Sequence, residues 1–93
     1  MNLVKAYQIT VYGRVQGVGF RWSTVRLAEQ LSIVGTVKNQ RDGSVQIVAQ
    51  GKETDLTHFL QTVETNLTPF AKVANLTKMA VPVKNWNNFR IID

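Results

Sequence analysis

The sequence predicts an α+β domain in which one antiparallel sheet carries two helices on a single face. Three observations lead there. Apolar and polar residues alternate in short runs, as at Tyr7-Gln8-Ile9-Thr10-Val11-Tyr12 and Val45 to Ala49, the period-two mark of half-buried strands. Two longer stretches, beginning near Phe20 and Leu56, space their apolar residues for one face of a helix. The segments follow one another as strand, helix, strand, strand, helix, strand, an order that packs most economically as helices over one face of a sheet.

Each element has its own warrant. Tyr7, Ile9 and Val11 define a first strand from about Lys5 to Tyr12. A loop with three glycines and two arginines follows, Gly13-Arg14-Val15-Gln16-Gly17-Val18-Gly19-Phe20-Arg21. Phe20, Thr24, Leu27, Ala28 and Leu31 then recur at helical spacing, so the first helix runs from about Arg21 to Leu31. Ser32 and Gly35 bracket a turn, and Val34 to Gln40 reads as a second strand. Arg41-Asp42-Gly43 is a hairpin turn with glycine placed for a positive φ. Val45, Ile47 and Ala49 form a third strand ended by Gly51.

The second helix has the cleaner pattern: Leu56, Phe59, Leu60, Val63 and Leu67 share one face. Glu53 and Asp55 stand at its start, where the helix dipole favours negative charge, and Thr68-Pro69 ends it. Ala71 to Val81 is a fourth strand. Its apolar residues Val73 and Leu76 break period two, which predicts a β-bulge. Pro82 to Asn88 is polar loop, and Phe89 to Ile92 leaves room for a short fifth strand.

This βαββαβ order is the ferredoxin-like, split βαβ arrangement. Strand, helix and strand at the start make a right-handed crossover, so the first two strands point the same way and the third fits between them. The ends of the first two strands then lie at one edge of the sheet. The glycine loop begins at one of these ends and Asn39 sits at the other. By parity Asn39 shares the helix-covered face with Val37. Topology alone therefore brings Asn39 toward the loop.

Length and composition bound the function. The 93 residues make one domain, 1–93, with a modest core. The absence of cysteine removes a disulfide framework, a thiolate zinc site and a cysteine nucleophile, and the one histidine, His58, makes no metal site alone. The start, Met1-Asn2-Leu3-Val4-Lys5-Ala6-Tyr7-Gln8, has no apolar h-region, and no apolar run approaches the roughly 18 residues that span a bilayer. A cytoplasmic protein is expected. The formal charge of +5 favours anionic partners, but the basic residues are scattered and form no nucleic-acid arm.

The glycine loop is the candidate site. Gly17 and Gly19 let the main chain approach a ligand closely. Successive N–H groups in such a turn converge on an anion, and the following helix adds its free N–H groups. Arg21 is unfavourable at a helix N-terminus unless an anion binds there, and its planar fork suits phosphate. Taken by itself the loop fits a plain turn as well as an anion site. Asn39 by itself reads more readily as a turn former than as a catalytic group. Arg14 is expected to be a solvated charge, Trp22 to pack on the rim of the core, His58 to lie at the surface or its boundary, and Lys38 and Arg41 to be exposed.

Two segments resemble the acylphosphatase family. Val11-Tyr12-Gly13-Arg14-Val15-Gln16-Gly17-Val18-Gly19-Phe20-Arg21 is similar to its first signature. Gly35-Thr36-Val37-Lys38-Asn39-Gln40-Arg41-Asp42-Gly43-Ser44-Val45, followed by Gly51, is similar to its second. The likeness covers nearly the whole chain. Thr36 departs from it, standing where the family usually has an aromatic residue, on the sheet face opposite Asn39. The segment after Thr68 matches loosely.

The resemblance implies hydrolysis of the carboxyl–phosphate bond of acyl phosphates to carboxylate and inorganic phosphate, without a metal, a cofactor or a phosphoenzyme. It implies that the backbone N–H groups of Val15, Gln16, Gly17, Val18, Gly19 and Phe20 bind the phosphoryl oxygens. Arg21 is implied to pair with the same phosphate, and Asn39 to orient the attacking water. The expected partner is a small acyl phosphate, with no membrane and no nucleic acid, and the expected state is a monomer. A non-catalytic anion- or RNA-binding ferredoxin-like module is the alternative. An RNA-binding sheet would show stacking aromatics on its first and third strands, and Ser44 to Gln50 has none. Service as a carbamoyl-phosphate-handling domain of a larger maturation protein fits the short free-standing chain less well.

Overall fold

The computed structural model describes residues 3–65 and 67–93, so Met1 and Asn2 of the start analysed above lie outside it. Among the described residues are five strands and two helices: β1 (Val4–Arg14), α1 (Phe20–Gln30), β2 (Val34–Asn39), β3 (Val45–Lys52), α2 (Glu53–Thr65), β4 (Lys72–Ala80) and β5 (Phe89–Ile91). The sheet order is β4-β1-β3-β2-β5. β3 pairs antiparallel with both β1 and β2, so β1 and β2 run in the same direction, as expected for the ferredoxin-like arrangement.

The expected sheet was antiparallel throughout. The fifth strand changes that: β5 pairs parallel with β2, through Gly35–Phe89, Thr36–Arg90 and Val37–Ile91, and the sheet is mixed. The reason lies in the connection. After β4, at one edge of the sheet, the polar segment 81–88 crosses to the other edge before β5 begins. Gln50 of β3, itself buried, holds this crossing. Its Nε2 donates to the Lys84 carbonyl and its Oε1 accepts from the Lys84 N–H, both at 2.8 Å. The Gly35 N–H then donates to the Asn88 carbonyl at 2.9 Å, which starts β5 alongside β2.

The core lies between the sheet and the helices. Ile9, Val11, Val37, Val45, Ile47 and Ala49 supply the sheet side; Phe20, Val25 and Ala28 of α1 and Leu56, Phe59 and Val63 of α2 cover them. Phe59 packs tilted against Phe89, 6.2 Å between ring centroids, and so fastens β5 to α2. Leu67, expected on the helical stripe, instead lies beyond α2, which ends at Thr65, and reaches the core from outside the helix. The expected bulge is present: Tyr12 pairs with Asn75 and Gly13 with Val73, which leaves Ala74 as the extra residue. Gly13 and Arg14 therefore belong to β1 and not to the loop. A side chain at Gly13 would meet the Lys72 carbonyl oxygen at 2.2 Å and the Ala74 nitrogen at 2.6 Å, so the bulge requires glycine there. No helix among the described residues is long and apolar enough to cross a membrane.

Candidate active site

The loop after β1 is nailed to the core at three points. Val15 and Phe20 are fully buried and Val18 packs against the same cluster, while Gly17 and Gly19 face outward. Gly17 and Gly19 both take left-handed conformations, with φ of 74° and 76°. An added Cβ would touch nothing within 4 Å at either position. Glycine is needed here for backbone conformation, which costs other residues about 1–2 kcal/mol. The space around the loop is open to a ligand.

Gly19 is also the N-cap of α1, and it offers no side chain to the helix. There is no acidic residue in the first turn of α1, in contrast to α2, which has Glu53 and Asp55. The Ser23 N–H makes the first helical bond, to the Gly19 carbonyl at 3.0 Å. The free N–H groups of the first turn, the positive end of the dipole and the Arg21 guanidinium thus gather at one place with no negative charge in the first turn of α1. The one salt bridge among the described residues, Lys5 to Glu53, does not involve Arg21.

Asn39 closes the site from β2. It lines a cavity of about 150 Å³ together with Val15, Gly17, Gly19, Phe20, Arg21, Trp22 and Ile91. Its Oδ1 is buried and has no hydrogen-bond partner. Val37, two residues earlier, is fully buried, and by the alternation of a strand Asn39 shares its helix-covered face. Thr36 points to the opposite face and is 7% exposed. A larger, shallower cleft of about 440 Å³ lies on the other flank of Asn39, lined by Lys38, Gln40, Arg41, Asp42 and Asp93. That cleft mixes both signs of charge and contains none of the loop residues, so the smaller cavity is the better anion site.

The hairpin beyond Asn39 is held by its own polar network. Asp42 Oδ1 accepts from the Ser44 N–H at 2.9 Å and from the Ser44 hydroxyl, and Gln40 Nε2 donates to Ser44 Oγ at 2.9 Å. The Ser44 hydroxyl, and then its N–H, hold the Asp42 carboxyl below its ordinary value of 3.8. On the other side of the loop, Thr68 Oγ1 donates to the Val18 carbonyl at 3.4 Å and ties the loop to the turn after α2.

Trp22 does not pack on the rim of the core as expected. It is 62% exposed and stands in the cavity wall beside Arg21. Its position in the first turn of α1 points it outward, whereas the buried stripe of that helix runs through Phe20, Thr24, Val25 and Ala28. Ile91 faces it from β5, 39% exposed. Sequence reasoning missed both as wall residues, because β5 reaches the site only through the crossing of residues 81–88. Arg14, Arg41 and His58 are exposed as expected, and Lys38 is half-buried in the neighbouring cleft. No group of three or more His, Asp or Glu side chains gathers among the described residues.

The acylphosphatase family model matches residues 7–91. The chain belongs to the acylphosphatase family. An acylphosphatase of Ligilactobacillus salivarius is 43% identical over 88 residues, which are 95% of this chain and 98% of that one. The crystal structure of acylphosphatase from Bacillus subtilis superposes with a TM-score of 0.91 at 36% identity, covering 98% of this chain and 100% of that one. Full-length HypF, solved in a phosphate- and nucleotide-bound form, matches with a TM-score of 0.90 at 26% identity, over 100% of this chain and 12% of that one. The two acylphosphatases match over their whole lengths, so this chain is an enzyme of the acylphosphatase family, with that family's ferredoxin-like fold.

Proposed function

We propose that the protein hydrolyses acyl phosphates with the phosphate held by residues 15–21 and the attacking water held by Asn39. The observation that carries this reading is the buried, unpartnered Oδ1 of Asn39 in the wall of the same cavity as Gly17, Gly19 and Arg21. The other polar side chains that line it, Arg21 and Trp22, are donors, which suits an anion. An acceptor oxygen repels phosphate oxygens, but it accepts a hydrogen bond from water. An acceptor beside these donors therefore supports a water next to the phosphate, and burial without a partner is costly unless something fills that role.

The chemistry asks little more of the protein. Phosphoryl transfer is mainly positioning and stabilisation of charge on the transferred group. The Arg21 fork and the backbone N–H groups of residues 15–20 stabilise the phosphoryl oxygens. Asn39 Oδ1 holds the water for attack on phosphorus. The water oxygen bonds to phosphorus as the bond from phosphorus to the acyl oxygen breaks. The carboxylate leaves with that electron pair, and the proton of the water passes to a phosphate oxygen. A carboxylate is a good leaving group and needs no strong acid. The acyl group leaves the cradle past Trp22 and Ile91, the apolar wall of the cavity.

The loop, Arg21 and Asn39 line one cavity within a single fold, so the proposed site needs no second subunit, and a monomer acting on a small molecule is the state proposed. The donor set of guanidinium and backbone amides supports a reaction without metal or cofactor. Release of inorganic phosphate from acetyl and benzoyl phosphate in excess EDTA tests the reading. Turnover that survives chelation is the expected result; turnover abolished by EDTA and restored by a divalent metal overturns the metal-free mechanism, and no hydrolysis of either compound overturns the activity.

A further inference from the structure

Gln16 lies in the middle of the phosphate loop, yet its side chain does not line the cavity. It turns toward the β2–β3 hairpin instead. Its Nε2 donates to the Gln40 carbonyl at 2.8 Å and to the Ser44 carbonyl at 2.9 Å. Those carbonyls stand at the two ends of the turn, which the Gln40 N–H closes by donating to the Ser44 carbonyl at 2.8 Å. Gln40 follows Asn39 directly. Both hydrogens of one amide nitrogen are thus committed to the stretch of backbone that presents Asn39.

We propose that Gln16 is a positioning residue of the reaction: it ties the phosphate loop to the end of β2, so that the water at Asn39 Oδ1 stays in line with the phosphorus. This rests on the acylphosphatase reading above. The two halves of the site have separate foundations. The loop is anchored by Val15, Val18 and Phe20 in the core, and Asn39 is carried by a strand end. No hydrogen bond holds Asn39 Oδ1 itself. The Gln16 amide is a direct link between the halves, and a misplacement of about 1 Å between reacting groups costs on the order of 10²-fold in rate. The link needs two donors and no charge at the end of a side chain of this length, which among the natural residues glutamine supplies.

A double-mutant cycle tests this, because residues acting through one another are non-additive. Gln16→Met keeps the length of the side chain and removes both donors; Gln16→Ala repeats the test, and the methionine variant stands alone should the alanine variant fail to fold. Calorimetric titration with inorganic phosphate counts functional sites per chain, and kcat for acetyl phosphate is expressed per site. Gln16→Met is expected to lower kcat about tenfold or more, with phosphate affinity within about threefold of wild type. In an Asn39→Ala background the same substitution is expected to lower kcat less than about twofold. Equal losses in both backgrounds, a phosphate affinity that falls in step with kcat, or an unchanged kcat would each overturn the proposal. A wild-type protein that binds phosphate and hydrolyses no acyl phosphate overturns the acylphosphatase reading and this proposal with it; an active wild type with an additive cycle overturns this proposal alone.

Discussion

Asn39 and Val11 stand on the same rung of the sheet, with Val45 between them as the hydrogen-bonded neighbour of both strands. Two strand spacings, about 10 Å, therefore separate Asn39, the residue proposed to hold the water, from the strand that leads into the glycine loop. The sheet sets that distance, and no local contact of Asn39 does. Asn39→Ala should then leave the fold and phosphate affinity nearly unchanged while kcat falls about 10²-fold or more. Steady-state kinetics beside a phosphate titration separate the two effects, and an unchanged kcat would make Asn39 only the last residue of a strand.

Arg21 is expected to trade stability for binding. A cation in the first turn of a helix opposes the dipole by roughly 0.3–1 kcal/mol. Without phosphate, Arg21→Ala should be as stable as wild type or slightly more so in urea unfolding, while phosphate binding and turnover are lost. Arg21→Lys keeps the charge but not the fork, and should recover only part of the affinity. Near-normal phosphate binding by Arg21→Ala would remove Arg21 from the site.

Two glycines should respond differently to alanine for different reasons. At Gly19 the obstacle is a φ of 76° with empty space around it. Gly19→Ala should cost about 1–2 kcal/mol of stability. At Gly13 the added methyl meets the Lys72 carbonyl oxygen and the Ala74 nitrogen across the bulge. Gly13→Ala should cost more than Gly19→Ala, because backbone on two strands must shift to admit it. Equal Tm values for the two variants would contradict this account.

Trp22 should govern how well apolar acyl groups are used. An aromatic contact is worth roughly 0.5–1.5 kcal/mol beyond its buried area. Trp22→Ala should therefore lower the ratio of kcat/KM for benzoyl phosphate to that for acetyl phosphate by roughly two- to tenfold. Trp22→Phe should keep most of the ratio. A ratio that Trp22→Ala leaves alone would mean that the acyl group leaves the cradle by another route.

Asp42 carries the pH dependence of the hairpin. Its carboxyl is held below 3.8 because the Ser44 hydroxyl and N–H donate to the ionised form. In the unfolded chain it titrates at the ordinary value, so folding favours the carboxylate. The stabilisation is present above 3.8 and is lost as the pH falls through the lower folded value. The Tm difference between wild type and Asp42→Asn should be largest near neutral pH and shrink at acid pH. Asp42 is fully exposed, so the difference should be small and weaken with salt.

Much of this protein could be read along the chain. Strand alternation, helical spacing and the order of segments follow from local rules, and they sufficed for βαββαβ and for the bulge signalled by Val73 and Leu76. Gly17, Gly19 and Arg21 are close in sequence and form one local structure, so the phosphate loop was legible as a candidate. Asn39 was legible at longer range because strand direction and side-chain parity are simple consequences of a crossover.

Other features exist only once the chain is folded. Ile91 reaches the cavity because Gln50 pins the crossing at Lys84 and sends β5 parallel to β2. Trp22 lies in the wall because the outward side of α1 happens to face that strand. Gln16 joins the loop to a turn 24 to 28 residues away. None of these carries a periodic or local signal, since side-chain hydrogen bonds and cavity walls depend on atoms that come together only when the whole sheet has closed. Local propensity thus settles the elements and the glycine loop, while long-range packing settles how the loop, Asn39 and the apolar wall are set against one another.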